Sequence, residues 1–132
     1  MLLNFVAEQL VRDYFIFVYL LCLSALQLAA ARSGLRGLAI VPAPWGVAAG
    51  LLFALTDVVW FVSSADRNTI GLAGWEQFLL FLMGSAGALL TSLGVSSLLW
   101  RPGSDPAAPV QDGVEALRYM SYWEALASRR TH

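Results

Sequence analysis

Three long apolar runs, parted by short breaks marked with proline, glycine and charge, set the pattern of this chain. The first, Tyr14 to Ala31, reads YFIFVYLLCLSALQLAAA; the second, Trp45 to Ser63, reads WGVAAGLLFALTDVVWFVS; the third extends from Trp75 to Trp100. At about 1.5 Å rise per helical residue, the first run covers about 27 Å, close to a hydrocarbon thickness of about 30 Å. The third is longer than that thickness and is expected to tilt or project beyond it. The pattern predicts an all-α integral membrane protein with three transmembrane helices.

The connecting segments behave differently from the runs. In residues 1–13, Leu3, Val6 and Leu10 share one helical face and Asn4, Glu8 and Arg12 another, with Glu8 spaced to pair with Arg12. This segment is net negative, unlike the basic start of a secretory leader, so it reads as an interfacial helix or as the first turns of a longer helix 1. From Arg32, the sequence RSGLRG and the prolines Pro42 and Pro44 interrupt helical periodicity, and Pro44 suits the start of a second helix because its missing N–H would be unpaired there. Residues 64–74 form a polar loop, and 101–132 a proline-rich linker followed by a short amphipathic C-terminal helix from about Gly113 to Ser128. Asp112 and Glu115 have the spacing of a capping box at its start, and Arg129 and Arg130 favour its end.

Composition agrees with the pattern. Hydrophobic residues make up 58% of the 132 and charged ones 13%, against about 45–50% and about 25% in soluble domains. A net charge of −1 gives no general basic field for nucleic acid. The single cysteine, Cys22, lies within the first run and reads as a buried, inert thiol; the single histidine is the terminal His132, which argues against haem or metal ligation in the membrane. No cofactor is expected.

Charge distribution orients the chain. Arg32, Arg36, Arg101, Arg118, Arg129 and Arg130 would share one side, and Arg12 and Arg67 the other. Cytoplasmic loops carry the arginine excess, so the N-terminus is expected outside and the C-terminus in the cytoplasm of a multi-pass plasma (inner) membrane protein. The tryptophans agree: Trp45 and Trp100 would anchor the inner interface, Trp60 and Trp75 the outer one.

Asp57 is the chemical anomaly. An acid near mid-membrane costs about 2.5–3.5 kcal/mol on insertion scales, so it is normally neutral, paired, or turned toward protein or water. Gly46, Gly50, Ala54 and Asp57 fall within about an 80° arc at about 100° per residue, so Asp57 is expected to face a neighbouring helix through a stripe of small residues. The third helix offers Gln77, Gly84, Ala88, Thr91 and Val95 on one face, and the first offers Ser24, Gln27 and Ala31. Counting from the helix ends, Ser85 or Ser24 could donate to a neutral Asp57 carboxyl. In the tail, Tyr119, Tyr122, Trp123 and Leu126 form an aromatic face suited to the bilayer surface or a partner subunit.

No nucleophile elbow, phosphate loop, dinucleotide fingerprint or metal-binding cluster is present in the sequence, and enzymatic activity is not expected. The layout resembles that of several phage holins and of the anchor subunits of some respiratory complexes, without a shared motif. The expectation is therefore a small membrane accessory or anchor subunit, embedded in the lipid bilayer and packing against itself as a homo-oligomer or against a larger membrane subunit. The alternatives are an oligomeric pore or proton- or cation-conducting element using Asp57, and a holin-like permeabiliser.

Overall fold

The computed structural model describes residues 2–42, 44–64, 73–99, 113–119, 122–123 and 126. Among them the chain is helical and without strands. Three helices, α1 (Leu2–Ser33), α2 (Trp45–Ser64) and α3 (Gly74–Leu99), are long and apolar enough to cross a membrane. Short 3-10 helices cover Arg36–Leu38, in the connector after α1, and Gly113–Arg118 in the tail.

The segment before Tyr14 continues α1, which at 32 residues is about 48 Å long. The i, i+4 pair of Glu8 and Arg12 is not formed. Arg12 instead holds Asp13, Nη2 to Oδ1 at 3.2 Å, because Asp13 is nearly buried while Glu8 is exposed, and the desolvated carboxylate gains more from a cation. α1 ends where Gly34 adopts φ +68°, and the Leu35 amide then reaches the Ala30 carbonyl at 3.0 Å. This is a Schellman closure, which places glycine in the left-handed region. α3 opens with half a capping box: the Glu76 carboxylate accepts from the Ala73 amide at 3.2 Å, and Ala73 supplies no reciprocal side chain.

α1 lies in the middle. α2 and α3 each pack along it and barely meet one another. Close approaches give the directions. A Cβ on Gly46 would lie 2.9 Å from Ala31 Cβ and one on Gly50 3.2 Å from the Ser24 carbonyl oxygen, so α2 climbs back along α1. Gly84 abuts Val18 in the same way, and Ser92 lies beside Gln27, so α3 runs parallel to α1. The α3 stripe that packs is Gly84, Ala88, Ser92 and Ser96, all buried. Thr91 and Val95 lie at its edge and Gln77 is exposed, which corrects the face expected from the sequence. With four small residues at strict i+4 spacing, the backbones approach closely enough for the hydroxyls of the last two to reach the connector.

The described part of the tail begins as the 3-10 helix Gly113–Arg118, which packs against the connector through buried Leu117. Where the sequence pattern places the start of a helix running from about Gly113 to Ser128, the chain forms this 3-10 helix, and the linker before it lies outside the described residues. Tyr119, Tyr122, Trp123 and Leu126 are exposed, with the Tyr122 and Trp123 rings edge to face at 5.8 Å.

Candidate functional site

The buried polar residues of the spans divide into one set that is satisfied and one that is not. The satisfied set surrounds Gln27. Its Oε1 accepts from the Ile40 and Val41 amides at 2.7 and 3.4 Å, and its Nε2 donates to the Leu38 carbonyl at 3.2 Å and to Ser92 Oγ at 3.4 Å. Ser92 Oγ donates to the same Leu38 carbonyl at 2.6 Å, and Ser96 Oγ donates to the Arg36 carbonyl at 2.8 Å. A connector with few helical hydrogen bonds of its own is thereby supplied by side chains of α1 and α3, as non-helical backbone packed against protein requires. Sequence reasoning placed Gln27 among the buried polar candidates and missed Ser92 and Ser96, which the i+4 run of small residues Gly84, Ala88, Ser92 and Ser96 could have shown.

Asp57 is the unsatisfied group. It is 4% exposed, and neither carboxylate oxygen has a hydrogen-bond partner. The donors expected for it are engaged elsewhere. Ser24 Oγ donates to the Leu20 carbonyl at 2.8 Å. Ser85 lies on α3, across α1 from Asp57; its hydroxyl donates to the Phe81 carbonyl at 2.7 Å and lies 3.3 Å from Cys22 Sγ. The bonds from Ser24 or Ser85 to Asp57 are therefore not made, because α1 separates the two outer helices and serine in an apolar helix returns its hydrogen to its own backbone. Thr56 does the same, donating to Leu52 at 2.8 Å.

Beside Asp57 lies a groove of about 450 Å³ between α1 and α2. Ile16, Leu20 and Leu23 form its α1 wall, Phe53 and Trp60 its α2 wall, and Ile40 and Val41 its floor at the connector end. Ser24, Gln27 and Thr56 also border it, but with their hydroxyl and amide hydrogens already committed. Beyond Asp57, α1 and α2 are joined by Phe61, stacked on Phe17 at a centroid distance of 4.3 Å and edge-on to Tyr14 at 6.5 Å. Leu20, Phe53 and Trp60 are exposed, so the groove opens sideways from the protein. The result is an apolar slot with one charged-type group that none of its lining side chains reaches as a donor.

The remaining sequence candidates have structural places. Gly46 and Gly50 are buried against α1 with Asp57 on the same face of α2, and Ala54 is half-buried. Gly84 and Ala88 are buried against α1, and Thr91 Oγ1 accepts from the Tyr19 hydroxyl at 2.8 Å. Trp45 and Trp75 are exposed at the first turns of α2 and α3, while Trp60 belongs to the groove; Trp100 lies outside the described residues. Sequence reasoning did not foresee the groove, since its floor comes from the connector and its walls from residues with no polar signature. Among the described residues, no group of three or more histidine, cysteine or acidic side chains could hold a metal ion. Comparison with protein-family models, curated proteins and solved structures finds no match to the chain.

Proposed function

We propose that the chain is a small integral-membrane accessory or anchor subunit that packs against a larger membrane partner or further copies of itself, N-terminus outside and C-terminus in the cytoplasm. The observation that carries this reading is the open layer of three helices. α2 and α3 flank α1 without closing on each other, leaving both outer helices with long apolar faces such as Leu51, Leu55 and Val59 on α2 and Leu79, Leu82 and Met83 on α3. Small-residue contacts that could have served association, at Gly50 and Ala88, are used inside the chain. Partners would instead meet the outer faces of α2 and α3 and the aromatic tail residues at the connector end.

A conducting element is less well supported. Gln27, Ser92 and Ser96 serve the connector, so these polar residues do not line a path along the helix axes. The test is purification from the native membrane in mild detergent, with the mass of the protein component measured by light scattering. A complex larger than the 14.3 kDa chain is expected. A chain that is monomeric, both in detergent and by crosslinking in the intact membrane, would overturn the reading.

A further inference from the structure

We propose that the groove between α1 and α2 is a binding site for a lipophilic amine in its cationic form, held by Asp57. Both carboxyl oxygens are buried without partners, and the neighbouring hydroxyls of Ser24 and Thr56 donate to carbonyls one turn back. A buried polar group left in that condition costs free energy that a bound donor would recover.

A hydroxyl would supply one donor and no charge. An ammonium supplies two or three hydrogens, enough for both oxygens, together with the counter-charge that this depth of the chain does not provide. Among the described arginines of α1 and the connector, Arg32 and Arg36 lie at the connector end, and Arg12, eight residues before Leu20 on α1, is already paired with Asp13. Paired with Asp57, the amine would leave the site electrically neutral, the condition under which a charge is tolerated within hydrocarbon.

The surroundings suit the rest of such a molecule. The walls are aliphatic apart from Phe53 and Trp60, whose rings can face a cation as well as an apolar body. A groove of 450 Å³ falls within the range of about 300–1,000 Å³ typical of small-molecule sites. Its sideways opening past Leu20 and Phe53 would admit the ligand from the lipid phase. The groove is lined by a single chain, so the site is independent of any partner subunit.

The test uses the full chain in nanodiscs of zwitterionic lipid, which lack the surface charge that would concentrate cations. A radiolabelled phenylalkyl primary amine and the alcohol of the same carbon skeleton are titrated by scintillation proximity, with empty nanodiscs subtracted. Saturable binding of the amine is expected, with the alcohol bound more weakly. Asp57→Asn keeps the side-chain volume and should weaken amine binding by about tenfold or more, the scale of a lost charge-assisted hydrogen bond. Leu20→Trp leaves the carboxyl in place but fills the groove and should reduce binding as well; it decides the matter if Asp57→Asn fails to fold. Equal affinity for the alcohol, amine binding undiminished in either folded variant, or no saturable amine binding because a partner helix already fills the groove would each overturn the proposal.

Discussion

Gln27 of α1 and Ser92 of α3 donate to one carbonyl, that of Leu38, at 3.2 and 2.6 Å, and Nε2 of the first lies 3.4 Å from the hydroxyl of the second. α1, the connector that follows it, and α3, 54 residues on from Leu38 at Ser92, thus meet at one backbone oxygen. Replacing Gln27 with Leu strands the amide of Ile40, whose acceptor at 2.7 Å disappears. A loss of about 1–3 kcal/mol is expected for a buried donor left unpaired. Reversible unfolding in mixed micelles would measure it, and Ser92→Ala, which leaves Leu38 its bond from Gln27, should cost less.

Gly50→Leu should destabilise the fold rather than simply separate subunits. Even a single Cβ there would stand 3.2 Å from the Ser24 carbonyl oxygen and 3.3 Å from the Leu28 nitrogen, and backbone atoms cannot step aside as a side chain can. Overpacking of this kind costs about 1–3 kcal/mol, occasionally more. Leu52→Ala, on the exposed side of the same helix, should change the midpoint little. A Gly50→Leu protein with an unchanged unfolding midpoint would contradict the α1–α2 packing described.

Tyr19 and Thr91 should show a measurable coupling. Their hydroxyls meet at 2.8 Å, 72 residues apart in the chain, in a region that is only partly buried. Side-chain hydrogen bonds between membrane helices average about 0.6 kcal/mol in double-mutant cycles. Tyr19→Phe and Thr91→Val, alone and combined, should return a coupling of about that size. Additive effects would indicate that the bond does not form in the bilayer.

The orientation of the chain can be read with its own cysteine removed. In a Cys22→Ser background, Glu8→Cys on α1 and Arg36→Cys in the connector mark opposite ends of the helical layer, and both parent side chains are exposed. A membrane-impermeant maleimide should label Glu8→Cys on intact cells and Arg36→Cys only after permeabilisation. The reverse pattern would invert the topology drawn from the arginines.

The three helices long and apolar enough to cross a membrane are legible because each is a long apolar run with a break after it. The common face of Gly46, Gly50 and Asp57 is also legible, since 3.6-residue periodicity needs no knowledge of the partner. Which helix that face meets is not. Membrane helices lack a polar side to mark the solvent, so the α3 face could be drawn through Thr91 and Val95 as readily as through Ser92 and Ser96. The placement of α1 between the others follows from long-range packing at Val18, Gln27 and Ala31, to which local pattern is blind. The same ignorance hides the groove, whose floor at Ile40 and Val41 is positioned only once Gln27 has captured their amides.

The central position of α1 also bears on how the chain can be assembled. Ribosomes deliver helices in order, and of these three α1 is made before the two that need it. α2 emerges with its docking surface already present, and α3 need not wait for α2, because the two scarcely touch. Each helix can settle on arrival without an unfinished neighbour to hold open its place. The connector is the exception: Ser92 and Ser96 reach the Leu38 and Arg36 carbonyls only when α3 is complete, so α3 locks the first turn of chain that left α1.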